Sequence, residues 1–274
     1  MSLTTVLDTP EARAFLKPII RSPSTKPDKV MKAPPLLKDA SRLGVAFDYG
    51  FRFGLDARGL GKVDKTVAAN GLKKLPALVE DPVLLRSARE QFERAMSVLT
   101  QLSPQSTLDD TAAEALIRLA SLDYIFRCRR LEYLQLPTRS EEIADLKALF
   151  ALIPWAQFEG KQRVLLNPTF GEGSHLVGGA DADIVVDDCV IEIKTVKDIS
   201  VDLSFVRQLV GYALLANEYG IMTPNQQYPG KISRLAVYFS RTGQLLSFPM
   251  SDVIHPSDHR KVLDYFKQQG RLSA

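Results

Sequence analysis

The stretch Gly178-Gly-Ala-Asp-Ala-Asp-Ile-Val-Val-Asp-Asp-Cys-Val-Ile-Glu-Ile-Lys194 holds two short apolar runs, Ile184-Val-Val186 and Cys189-Val-Ile191, on either side of Asp187-Asp188. The β-branched runs carry strand propensity and the aspartate pair carries turn chemistry, so the stretch reads as a β-hairpin. With the two aspartates as turn residues, Val186 falls opposite Cys189. Counting outward then places Asp183 opposite Glu192 and Asp181 opposite Lys194. Side chains alternate along a strand, so these four share one polar face, with opposed Cβ atoms about 4.5–5.5 Å apart. Clustered carboxylates repel unless a cation sits among them, and hard oxygen ligands at this spacing suit Mg²⁺ or Mn²⁺. An ordinary charged hairpin face would present the same residues without a metal.

Two flanking segments have helical periodicity. Downstream, Ser204 to Asn217 is amphipathic, with Gln208 and Tyr212 one turn apart on one face and Arg207 beside them. Upstream, Ser41 to Leu55 sets apolar residues at 43, 46, 47, 51 and 55 on one stripe. Asp48 then lies one turn after Gly44 and one turn before Arg52, a spacing that also fits a simple helical ion pair.

Asp183, separated by eight residues from Glu192-Ile-Lys194, resembles the acid and (D/E)-x-K elements of the PD-(D/E)XK nuclease superfamily. Gln208-x-x-x-Tyr212 is similar to the Gln-x-x-x-Tyr element of its RecB-like branch. Gly44-x-x-x-Asp48 is similar to that branch's early-helix Gly-x-x-x-His element, with aspartate in place of histidine. Two choices stay open for the first hairpin acid: Asp183 fits the superfamily spacing, whereas Gly178-x-x-Asp181 fits the branch's Gly-x-x-Asp form. The resemblance implies an α/β fold with a restriction-endonuclease-like core, a mixed central sheet flanked by helices. It implies a metal-dependent nuclease that hydrolyses phosphodiester bonds, in DNA rather than RNA. Asp183, Glu192 and the carbonyl of Ile193 would hold one or two Mg²⁺ (or Mn²⁺), with Asp48 and Asp181 as further ligands. Lys194 would orient or deprotonate the attacking water, and Gln208 and Tyr212 would position the strand. The alternative is a catalytically silent nucleic-acid-binding or scaffold module of the same fold. No Walker A motif occurs, so any motor activity would come from a protein partner.

Residues 1–40 carry six prolines with lysines between them and read as an extended arm, with one short helix after Thr9-Pro10. Residues 41–274 read as a single domain, with a helical insertion or layer at about 80–152 built from segments near 82–102, 107–134 and 140–152. Arg127, Arg129, Arg130 and Arg139 concentrate there, as phosphate contacts or as solvated helix ends. Glu132, Glu141 and Glu142 are alternative upstream acids. Strands are expected from about Lys161 to Phe170, over Arg234–Ser240 and over Gln244–Phe248, with a last helix over 257–269. His175 reads as a surface residue, and His255 with His259 as helix-end residues rather than a metal pair.

At 274 residues and 45% hydrophobic, the chain can bury a sizeable core. With no run of eighteen apolar residues and no basic leader, it is expected to be soluble and cytoplasmic, without a membrane partner. Cys128 and Cys189, both in apolar surroundings, are expected to be buried free thiols. Residues 1–75 hold fourteen Lys/Arg against seven Asp/Glu, although the whole chain is only +3, and a basic part beside an acidic site suits a polyanion.

Overall fold

The hairpin organises a five-stranded sheet in the computed structural model, which describes every residue except Met1, Asp39, Ser106, Arg130 and Ala274, and the backbone alone for 270–273. Strand β1 (Val164–Leu166) pairs with β2 (Ile184–Val186), and β2 pairs with β3 (Cys189–Lys194), both antiparallel. Val186 faces Cys189 as counted, with Asp187 taking the left-handed conformation (φ 51°) that aspartate tolerates in turns. A two-stranded ribbon, β4 (Ile221–Met222) with β5 (Gln227–Tyr228), lies apart. Strand β6 (Arg234–Phe239) then pairs parallel with β3, and β7 (Gln244–Pro249) closes the order β1-β2-β3-β6-β7. The sheet is mixed because a helical crossover joins β3 to β6, and a parallel pair needs one.

Helices cover both faces. The arm forms α1 (Leu3–Leu7) and α2 (Pro10–Leu16), followed by α3 (Ser41–Ala57), α4 (Val67–Lys74), α5 (Pro82–Leu99) and α6 (Asp110–Cys128). Next come α7 (Glu132–Gln135), α8 (Ser140–Ala151), α9 (Glu172–Leu176), the crossover α10 (Leu203–Tyr219) and α11 (His259–Ser273). Ile191, Ile193, Ala236 and Tyr238 point into one core, with α3, α5, α6 and α8. Val190, Leu235, Val237 and Phe239 point into the other, with α1, α2, α10 and α11. The helical segment at 80–152 is thus a full layer on the α3 side.

Several boundaries follow from local chemistry. Asp81 caps α5 with proline at its first position, and Asp109 caps α6 through the Ala112 amide. The helix expected over 107–134 breaks at Arg129, whose φ of 55° ends α6 in a left-handed cap. After the β1 segment the chain forms the short helix α9, and the arm holds two short helices rather than one. Helix α4 had no expected counterpart. The arm packs on the domain: Leu3, Val6, Leu7, Leu16 and Ile20 are buried, and Ile20 bridges Ile254. Cys128 is exposed, contrary to expectation, because it sits in the last turn of α6 beyond the packed layer.

Candidate active site

Strand β2 stops at Ile184, so the last three residues of β3, Glu192 to Lys194, extend beyond it while still pairing with β6. The ladder that would have set Asp183 across from Glu192 is therefore not continued. The Asp183 side chain takes its place, accepting a 2.7 Å hydrogen bond from the Ile193 amide. Asp181 departs further: it bridges Thr169, on the β1 side, instead of lying in a ladder opposite Lys194. It stays within electrostatic reach of Glu192. The shortened strand leaves a pocket of about 450 Å³ lined by Asp48, Arg127, Asp183, Glu192, Ile193 and Lys197, among others.

Alternation keeps Asp183 on the face of Val185, and Glu192 and Lys194 on the face of Val190, as the hairpin reading requires. That face is not an open polar surface, as first expected, because α10 covers it and leaves Glu192 only 6% exposed. Lys194 Nζ donates to Glu192 Oε1 at 2.7 Å and to Gln208 Oε1 at 3.4 Å. Gln208 Nε2 donates to the Tyr212 hydroxyl at 2.8 Å, so the i, i+4 pair on α10 continues the chain. Lys194 Nζ also sits 4.5 Å from the centre of the Phe205 ring, and Phe170 packs on Tyr212 at 5.5 Å. Phe205 precedes Gln208 by three residues on the same helix face, a signal legible in the sequence.

Asp48 reaches the same pocket from α3 and pairs with the buried Arg52, so the simple ion pair and the site position coexist. Burial raises the carboxyl pKa of all three acids. For Asp183 it rises well above the aspartate range, helped by the charges of Glu192 and Asp48. For Asp48 and Glu192 burial outweighs the opposing pull of Arg52 and Lys194 respectively. The Tyr212 hydroxyl is likewise pushed up by burial and by Glu192, which keeps it a neutral donor.

The donors suit a hard divalent cation: Asp48 Oδ1 is buried without a hydrogen-bond partner, and three buried carboxyl groups lie close together, with Arg52 and Lys194 paired to two of them. They are not drawn into a ready cage, since among the described residues no three His, Cys, Asp or Glu side chains converge at metal-holding distance. Arg52 and Lys194 each hold one of the acids instead.

The other acids considered lie elsewhere. Glu142 is buried against Arg42, with contacts of 2.9 and 2.5 Å, whereas Glu132 and Glu141 are exposed. His255 Nδ1 pairs with Ser257 Oγ at 2.7 Å, and His175 is exposed. Of the basic residues, Arg127 lines the pocket, Arg129 and Arg139 are exposed, and Arg130 lies outside the described residues. The basic cluster marks Arg127 in the sequence, but its place beside the acids is not legible there, because α6 joins the site only through tertiary packing. Among the described residues no helix is long and apolar enough to cross a membrane. In comparisons with family models, curated proteins and solved structures, none matches this chain.

Proposed function

We propose that this chain is a metal-dependent nuclease that hydrolyses phosphodiester bonds, with DNA as the favoured substrate. The observation that carries the reading is the continuous chain Glu192–Lys194–Gln208–Tyr212, ending beside the buried carboxylates of Asp183 and Asp48. A lysine between a carboxylate and a neutral hydrogen-bond relay is placed to orient or deprotonate a water and to neutralise a phosphate oxygen. Asp183, Glu192, the Ile193 carbonyl and the unpartnered Asp48 oxygen are the groups that would hold Mg²⁺ or Mn²⁺, with Asp181 beside them. Such an ion, when bound, acidifies its water and offsets charge on the phosphate. Gln208 fixes the lysine, and the Tyr212 hydroxyl is left to donate to a substrate oxygen.

A second reading, a nucleic-acid-binding module without chemistry, draws support from the pairing of Asp48 and Glu192 with the protein's own cations. Labelled single- and double-stranded DNA and RNA, linear and circular, separate the two readings when incubated with Mg²⁺, Mn²⁺ or EDTA. Metal-dependent cutting that Lys194→Ala abolishes supports the nuclease. Binding without cutting on every substrate supports the module.

A further inference from the structure

The pocket beside the acids has one strongly basic wall. Arg127 stands in the last turn of α6, and Asp123 Oδ1 accepts from its Nε at 2.6 Å. The other oxygen of Asp123 accepts from the Tyr49 hydroxyl at 2.9 Å, and that hydroxyl accepts from the Ala68 amide at 2.9 Å. A chain of polar groups thus runs from α4 through α3 to α6 inside an otherwise apolar layer, and Asp123 is only 1% exposed. Burying such a chain costs desolvation, and apolar residues of similar volume would pack there at less cost. Its visible effect is to fix a guanidinium at the rim of the pocket.

Two arginines approach the acids, and their burial separates their roles. Arg52 is 2% exposed and consumed by Asp48. Arg127 is 47% exposed and lines the pocket together with Asp48, Asp183 and Glu192. Asp123 holds the Nε edge, and the terminal nitrogens are the pair that forks onto a phosphate. The fields of Asp181 and Asp48 both act on Arg127, which places it within reach of whatever lies over the acids. Exposed Lys197 lines the same pocket.

We propose that Arg127, held in place by Asp123 and Tyr49, is a phosphate-binding residue that grips the nucleic-acid backbone beside the acidic cluster. The helical layer is then part of the site: it supplies a half-exposed guanidinium at the pocket rim, whereas Lys194 of β3 is held by Glu192 and Gln208. The choice of ligand rests on the nuclease reading, and the test separates the two.

Binding of a labelled oligodeoxynucleotide, single-stranded and duplex, is measured by anisotropy in Ca²⁺ across a salt series, with cleavage in Mg²⁺ followed in parallel. For Arg127→Ala the slope of log K against log salt should shrink by roughly 0.7–0.9, the value of one phosphate contact, and affinity should fall severalfold. Arg127→Lys should restore the slope but not the whole affinity, because the charge returns without the fork. Arg127→Gln repeats the test if the alanine variant folds poorly. An unchanged slope in the alanine or glutamine variant, with only the melting temperature shifted, assigns Arg127 to structure and overturns the proposal. Native protein that binds neither oligonucleotide also overturns it. Native protein that binds with the expected slope change yet never cuts keeps Arg127 as a phosphate contact and removes the nuclease reading. Cutting with an unchanged slope does the reverse.

Discussion

Two sets of buried carboxylates in this molecule are treated in opposite ways. In the helical layer, Glu142 accepts from Nε and Nη2 of Arg42 and from the Arg139 amide. Asp145 receives two nitrogens of Arg241 and the Leu36 amide. Each of these acids accepts from two guanidinium nitrogens and from a backbone amide besides. At the end of β3, Asp183 has one backbone amide, Asp48 keeps an oxygen without a partner, and Glu192 shares its lysine with Gln208. Burial alone therefore does not mark a functional acid. The distinguishing feature is burial with an incomplete set of partners, and in this set burial raises the carboxyl pKa of all three acids.

The largest expected effect is on activity at the incomplete set. Lys194→Ala should lower cleavage by about 10²–10⁴-fold, the range for a group that moves or holds a proton. Glu192→Gln should do the same and is the better carboxylate probe, since Glu192→Ala would strand a largely buried lysine. Nearly as large, but in stability, is Asp145→Ala. It leaves Arg241 buried without its counter-ion and should cost about 3–5 kcal/mol in urea unfolding, leaving the site chemistry unaltered in the fraction that stays folded. Asp183→Asn should move the other way, gaining roughly 1 kcal/mol in metal-free protein while abolishing cleavage. A loss of stability in that variant would erase the contrast between the two sets.

The pH dependence sharpens the same point. The carboxyl pKa values of Asp48, Asp183 and Glu192 are higher folded than in the free side chains, so the folded state holds more protons. Their contribution is then fully present below the unfolded values, near about pH 4, and is lost as pH rises through the folded ones. Metal-free melting temperatures should fall over that window, less steeply in Asp183→Asn. Added Mg²⁺ should stabilise the native protein most at the upper end, where the acids are ionised. The smallest effect is chemical: burial pushes the Cys189 thiol up to about 12, so iodoacetamide at neutral pH should label the exposed Cys128 and spare Cys189, as mass spectrometry would read.

How legible was this in the sequence? The hairpin and its register were, because β-branched runs and an Asp-Asp turn leave one way to count. Helices α3 and α10 were also legible, since period and caps are local properties. Helix α4 was not: Val67-Ala-Ala-Asn-Gly-Leu-Lys-Lys74 is too short and too glycine-interrupted to declare itself. Its Gly71 is needed instead because a Cβ there would meet the Leu122 carbonyl oxygen of α6 at 2.0 Å. The lateral turn of Asp181 toward Thr169 depends on where β2 ends, which pairing rather than propensity decides. The candidate site was half legible for the same reason. Glu192, Lys194, Gln208 and Tyr212 lie close in sequence, as do Asp48 and Arg52, whereas the approach of Arg127 to the acids and the buried pairs of Arg42 and Arg241 join segments brought together only by tertiary packing.

The docking of the arm has a consequence for synthesis. The Lys32 and Ala33 amides both donate to the Arg241 carbonyl, and the Arg21 amide donates to Val253. Arg241 in turn donates back to the Ala33 carbonyl across a separation of 208 residues. At ribosomal speeds of about 5–20 residues per second, the arm waits roughly 10–40 s for its partner to be made. Throughout that interval Ile20 is nascent apolar surface without its partner, since it bridges Ile254, which is made later still. Slowing or accelerating translation ahead of the β6–β7 hairpin should therefore change how much of this chain needs chaperones before it is released.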